Sequence, residues 1–281
     1  MVRTKTTQIG LRQYNYKLQL NQKLNMAISS YRSAPFGGGQ GIFIYELSKA
    51  LQSLGHIVDI ISGPPYPDLE PKINLIRSPG LNLFSTFVFK ERLKIFLNKK
   101  NKSLDDWFEF SSTLLGGFPE IRTFGNRLSY LLQNSSYDIL IDNQSLSFGV
   151  LQVQNKIPVI EIVHHPITKD YKYDIQVSKG IVQKISKWRW FSFLKMQKKV
   201  APLLKVISTP SINAKDDIVK DFNVSKKKIA VIPNGIDHMK FSPKKYINRN
   251  PGQLITTASA DVPLKGLDFT LQAIYSIKKD F

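Results

Sequence analysis

His164 and His165 stand together in IEIVHHPITKD, at the end of an apolar, β-branched run. Imidazole can bond a hydroxyl or a phosphate near neutral pH, and it changes charge there more readily than any other side chain. A structural histidine closing a strand is the alternative reading. Zinc is disfavoured, because the pair has no third ligand nearby in sequence. Asp142 and Asn143 open DNQSLSFG after a second apolar run. Short polar groups of this kind bind sugar hydroxyls, although a helix N-cap has the same appearance. Gly37, Gly38, Gly39 and Gly41 form a glycine-rich turn. Without Cβ atoms, such a turn lets backbone N–H groups approach an anion, and a following helix N-terminus adds its dipole. It also suits a purely structural turn. Lys265 and Gly266 in VPLKGLDF place a cation where it could reach a diphosphate or simply face solvent. Asn234 and Gly235 in VIPNGID are a strong turn signal.

These groups need elements to hold them. Leu24 to Ser29 reads as a strand, followed by the glycine turn and a helical pattern from Ile42 to Leu54. Gly55 suits the helix stop, and Ile57 to Ile61 is β-branched. Strand, turn, helix and strand within so short a stretch make a βαβ unit, the building block of parallel sheets. The alternation continues with strands at 73–76, 139–141, 159–163, 205–208 and 229–232. Helical segments are expected over 84–133, with breaks at Gly116, Gly117 and Pro119. A single basic aromatic helix is expected over 181–200, and another helix over 212–221. The result is a doubly wound α/β domain in which both His164 and the glycine turn lie at the carboxyl edge of the sheet. The spacing is not GxGxxG and no acidic residue ends the second strand, so a dinucleotide-binding oxidoreductase is disfavoured.

Composition narrows the classes further. The 281 residues contain no Cys and carry a formal net charge of +19. Disulfides, thiol nucleophiles and Cys-based metal sites are excluded. No apolar run follows the basic start, so a cleavable signal is not expected, and no stretch approaches a membrane span. Between Ile175 and Lys215 every charged side chain is basic. That suits a solvated face, an anionic lipid surface, nucleic acid or a phosphorylated substrate.

The order of these blocks is more specific than any one of them. Gly38 and Gly39, Glu46 and Leu47, then LGHIVDIIS, resemble the opening of the family 4 retaining glycosyltransferases of the GT-B fold. VIPNGID with Phe241 and Pro243 resembles that family's exit from its N-terminal domain. LKG with LDFTLQAI resembles the first turn and helix of its donor domain. GGFPEIRTFG, DNQSLSFG, HHPIT and TTASADVPLKG resemble one bacterial subgroup, and the resemblance covers residues 23–281. It implies two Rossmann-like domains and a metal-independent transfer from a nucleotide sugar, with no cofactor. Gly38 and Gly39 would face the donor phosphates or the acceptor. His164, six residues after Pro158, would lie beside the transferred sugar, and Lys265 would neutralise the departing diphosphate. Asp142, Asn143, Asn234 and Gly235 would line the cleft. Two features depart from the family pattern. Ala260 stands where an Arg is usual, five residues before Lys265. The downstream pair of Glu residues is also absent, so this stretch by itself is expected to be a poor catalyst.

The expected organisation is a basic extension over 1–22, an acceptor-side domain over 23–241 and a linker over 242–253. The first strand and helix of a donor-binding domain then occupy 254–281, with the strand at 254–258. The expected function is transfer of a sugar, with retention, to a lipid, glycan or small-molecule acceptor in the cytoplasm. Peripheral contact with anionic membrane through residues 179–199 goes with it, and nucleic acid is not an expected partner. The competing reading is a non-catalytic basic module that binds membrane or nucleic acid.

Overall fold

The structure, a computed structural model, describes residues 22–35, 39–243, 247–248, 250–256 and 266–277. Seven strands form one sheet, and every pairing is parallel. They are β1 (Asn25–Ser30), β2 (Ile57–Ser62), β3 (Asn74–Arg77), β4 (Ile139–Asn143), β5 (Val159–Ile162), β6 (Val206–Thr209) and β7 (Ile229–Val231). Their order across the sheet is β3-β2-β1-β4-β5-β6-β7. The chain therefore winds outward in one direction from β1 to β3 and in the other from β4 to β7. The switch falls between β1 and β4, where an open α/β sheet leaves a crevice at its carboxyl edge.

Helices cover both faces because the strands are apolar on both. On one face Ile28, Ile60 and Ile141 pack against Ile44 of α1 (Gly39–Ser53), with Phe43 and Leu47 at the margin. On the other, Ala27, Leu140, Val159 and Ile207 meet Phe124 and Leu128 of α4 (Glu120–Leu131) and Val150 and Val153 of α5 (Phe148–Gln154). Val200 of α8 (Leu194–Val200) and Ile218 of α9 (Ile212–Phe222) complete that layer. α2 (Phe89–Asn98) and α3 (Leu104–Leu114) precede α4, with breaks at the expected Gly116–Pro119 stretch.

The α/β class and the strand sequence match the expectation, but three details differ. The basic aromatic segment is not one helix. It divides into α7 (Ile181–Trp190), a 3-10 turn over Phe191–Phe193, and α8. The break turns Phe191 and Phe193 into the core, where a continuous helix would have spread them around its surface. An additional helix, α6 (Thr168–Val177), follows β5 directly. Leu254–Thr256 form no strand, and the remainder of that expected strand lies outside the described residues. The chain divides between Asn234 and Gly235 into two compact units. The second contains α10 (Leu267–Ile277), as its apolar periodicity predicts.

Two glycines let α4 and α5 approach closely. A Cβ on Gly149 would lie 1.8 Å from the Gly125 carbonyl oxygen, and one on Gly125 would lie 2.1 Å from Ser147 Oγ. The first clash is with backbone and no rotamer change relieves it. Gly149→Ala should therefore destabilise the domain by about 3 kcal/mol or more, the upper range for overpacking. Gly39→Ala meets nothing within 4 Å and should be neutral or slightly stabilising, as Ala is preferred in a helix by about 1 kcal/mol. Urea unfolding of both variants tests the contrast, and equal midpoints would refute the close-approach argument.

Candidate active site at the topological switch

The carboxyl ends of β1, β4 and β5 carry a polar row into the interior. In the strand register Ser29 lies opposite Asp142, and Asp142 opposite Glu161. All three are fully buried. Ser29 Oγ donates to Asp142 Oδ1, and the Ser145 amide donates to Asp142 Oδ2 at 2.9 Å. Burial pushes the Asp142 carboxyl up, and those hydrogen bonds oppose the shift. Glu161 is raised further, by burial first and then by the charge of Asp142. Two adjacent carboxyls in an apolar interior oppose one another's ionisation, which falls hardest on Glu161. One of its oxygens accepts the Leu146 amide at 3.0 Å.

These bonds fix an unusual loop. Gln144 and Leu146 both adopt left-handed backbone conformations, at φ 61° and 48°. Such geometry costs a residue with a Cβ about 1 kcal/mol or more and persists only where its surroundings over-determine it. Here the buried carboxyls hold the amides of Ser145 and Leu146 from below. The Gln144 side chain reaches across to β5: its Oε1 accepts the His164 amide at 2.9 Å, and its Nε2 donates to the His165 carbonyl at 3.0 Å.

Side chains on the α1 face of the same strands converge on the crevice. His164 Nε2 lies 2.8 Å from Asn143 Oδ1, and Asn143 Nδ2 donates to Ser30 Oγ at 3.4 Å. Ser30 Oγ in turn donates to the Arg32 carbonyl at 2.9 Å. The Phe43 ring meets the His164 ring edge-on, with centroids 4.6 Å apart and planes at 86°. Burial, and then the neighbouring His165, hold the His164 pKa below the usual imidazole value. The ring is therefore neutral at neutral pH. With Nε2–H donating to Asn143, Nδ1 is left as a hydrogen-bond acceptor. His165 points outward and lies 3.3 Å from Asp170 Oδ2.

The expected site residues thus separate into groups. His164 and Asn143 touch one another at the switch point, and Gly39 begins the helix whose Phe43 contacts His164. Asp142 does not line the opening; it is buried beneath it and braces the loop. Asn234 and Gly235 are exposed at the boundary between the units. Gly38 and Lys265 lie outside the described residues. Sequence reading missed Ser30, Phe43 and Glu161, and it took Gln144 of DNQSLSFG for a sugar-binding group where the structure gives it a bracing role. It also missed Arg32, which pairs with Glu120 at 2.9 Å. Gly41 had a legible reason, since a Cβ there would lie 2.1 Å from the Ala34 carbonyl oxygen. Among the described residues, no three His, Asp or Glu converge as a metal site would require. A cavity of about 410 Å³ lies at the opposite edge, where Asn25 begins β1 and Tyr137 precedes β4. It holds none of these groups.

Glu120 gives the site a measurable pH signature. Burial raises its pKa to about 7 against the opposing charge of Arg32, with Glu109 adding to the rise. A raised acid binds its proton more tightly in the folded state, so its stabilisation is complete below pH 4.5 and is lost as pH rises through about 7. The shift corresponds to the order of 3 kcal/mol. Glu120→Gln should remove that component. The stability difference between wild type and variant should change between pH 4.5 and 7.5, and parallel pH curves from urea titrations would refute it.

Comparison with known proteins identifies the family. The sequence model of Glycosyltransferase Family 4 matches residues 37–240. The MMP alpha-(1->4)-mannosyltransferase of Mycolicibacterium hassiacum is 36% identical over 259 residues, covering 91% of this chain and 62% of that protein. The chain thus spans less than two thirds of this relative's length. Among solved structures, a glycosyltransferase from Rickettsia africae ESF-5 is 15% identical with a TM-score of 0.43, over 80% of this chain and 46% of that one. The catalytic domain of starch synthase IV from Arabidopsis thaliana, bound to ADP and acarbose, is 14% identical with a TM-score of 0.43, over 79% and 54%. The family match takes in the glycine turn, the braced loop and His164, and by it the chain belongs to glycosyltransferase family 4.

Proposed function

We propose that the protein transfers a sugar from a nucleotide-sugar donor to a glycan or lipid acceptor, with retention at the anomeric carbon and without a metal. Family membership supports the reaction class. The observation that carries the site assignment is the neutral His164 ring, held between Phe43 and Asn143 at the topological switch. In the transfer, the bond from the anomeric carbon to the diphosphate breaks and a bond to the acceptor oxygen forms. The acceptor's proton leaves with the diphosphate. A neutral imidazole with a free Nδ1 lone pair accepts a hydrogen bond from a sugar hydroxyl, so it holds the ring without adding charge beside a developing cation. Gly38, Gly39 and Lys265 are assigned to the phosphates, where backbone N–H groups and an ammonium oppose the charge that the leaving group gains. Asn143 orients His164, while Asn234 and Gly235 lie at the boundary between the units.

Residues 179–199 supply the membrane side of this reading, at the inner face of a cytoplasmic membrane. α7 buries none of its residues. Ile181, Ile185 and Trp188 fall at helical spacing along it and are all exposed. Lys179, Lys184 and Arg189 accompany them. An apolar stripe flanked by cations suits the interface of an anionic bilayer. No helix among the described residues is long and apolar enough to cross a membrane.

His164→Ala should lower turnover about 100-fold or more in the intact protein, the scale of one lost transition-state hydrogen bond. His165→Ala should act mainly on stability. Equal turnover for wild type and a folded His164→Ala variant, with melting temperature measured alongside, would make the His structural. Anionic vesicles should sediment the protein at low salt and release it above about 0.15 M, where exposed charges are screened beyond about 8 Å. Equal binding to neutral vesicles would remove the electrostatic part of this assignment.

A further inference from the structure

A cavity of about 240 Å³ opens beside the N-terminal ends of α4 and α5, on the face of the sheet opposite α1. Phe118, Phe148 and Phe193 form walls, and Arg122, Lys195 and Lys199 stand among them without any lining carboxylate. Lys195 and Lys199 are one helical turn apart on α8. Among the described residues none of the three cations has an ion pair, although nine other pairs are formed. Arg122 lies over the Phe108 ring at 4.8 Å and Lys195 over the Trp188 ring at 4.8 Å. Phe148 remains 40% exposed.

Each half of this lining is ordinary, but their combination selects a ligand. Phenylalanine walls favour an apolar group, above all at Phe148, whose 40% exposed ring gains by being covered. Three unpaired cations favour an anion and disfavour a second cation. A neutral lipid leaves the cations unanswered, and a free inorganic anion leaves the Phe148 ring exposed. The volume is below the usual range of about 300–1,000 Å³ for a drug-sized ligand, so the cavity takes one end of a longer molecule. We propose that it binds an anionic amphiphile, an aliphatic chain bearing a phosphate. The chain lies between Phe118, Phe148 and Phe193, and the phosphate meets Arg122, Lys195 and Lys199. Phe118 also packs edge-on against Tyr31, 6.1 Å away at the end of β1. The occupant therefore sits one aromatic layer behind the switch-point crevice. The inference concerns binding at this cavity and holds whichever sugar is transferred.

Calorimetric titration of the whole chain with octyl phosphate, below its micelle-forming concentration, tests the proposal. Octanol, inorganic phosphate and anionic vesicles are the comparison arms. Octyl phosphate should saturate one site at least about tenfold more tightly than octanol or inorganic phosphate, a difference near 1.4 kcal/mol. Lys199→Glu should weaken octyl phosphate about tenfold while leaving octanol unchanged. Phe148→Ser should weaken both. Lys199 and Phe148 are both solvent-exposed, so each variant should fold, and unchanged melting temperatures confirm it. Octanol or inorganic phosphate binding as tightly as octyl phosphate would overturn the proposal. So would vesicle binding with no saturable site for monomeric octyl phosphate, which would leave a membrane surface and no cavity ligand.

Discussion

Asp142 and Glu161 face one another across β4 and β5 in a buried interior that disfavours charge on both and most strongly on Glu161. Much of the site follows from that arrangement. Glu161 accepts from the Leu146 amide, and Asp142 accepts from Ser29 and Ser145. Those bonds hold Gln144 and Leu146 in left-handed backbone geometry. Gln144 can then bridge to the backbone of His164 and His165 on the neighbouring strand. The orientation of the imidazole is thus set from below by buried acids and from the side by Asn143 and Phe43. An apolar pair in place of Asp142 and Glu161 would pack the sheet as well, but the loop amides would then lose their acceptors.

The same carboxyl edge explains why two adjacent histidines differ so completely. Successive side chains leave a strand end on opposite sides. His164 turns toward α1 and is desolvated against Phe43, whereas His165 turns to solvent and meets Asp170. Burial disfavours the charged ring at His164. Its value to the site lies in donating to Asn143 through one nitrogen while offering the other as an acceptor. A protonated ring would donate through both nitrogens and leave no acceptor facing the crevice.

The fold was legible because its signals are local. The apolar runs at 57–61, 139–141 and 159–163, the glycine stop at Gly55 and the breaks at Gly116–Pro119 each specify an element without reference to distant residues. The position of His164 at a sheet edge followed from the same reading. The bracing was not legible, because the apolar run at 159–163 does not reveal that Glu161 lies opposite Asp142. Gln144 looks like a sugar-binding group until its left-handed backbone is seen. Residues 181–200 were misread for a related reason. Their aromatics fit a helical period, but burial against the core goes with a 3-10 turn that sends Phe191 and Phe193 inward while leaving Trp188 outside.

Excess positive charge is easier to understand once the aromatics are placed. Nine Lys or Arg residues without an acid between Ile175 and Lys215 cost little on a solvated face, and net charge alone indicates only solubility and nonspecific attraction. Where the cations lie over rings the case differs, because Arg122 on Phe108 and Lys195 on Trp188 are already partly satisfied by π-electrons. A cation–π contact leaves the outer side of the ammonium or guanidinium open, so an anion can approach without displacing any carboxylate. Side chains paired with acids, such as Lys187 with Asp174, would have to break that bond first. The distribution of partners, more than the number of charges, therefore distinguishes a surface that is merely basic from one arranged to receive an anion beside an apolar chain.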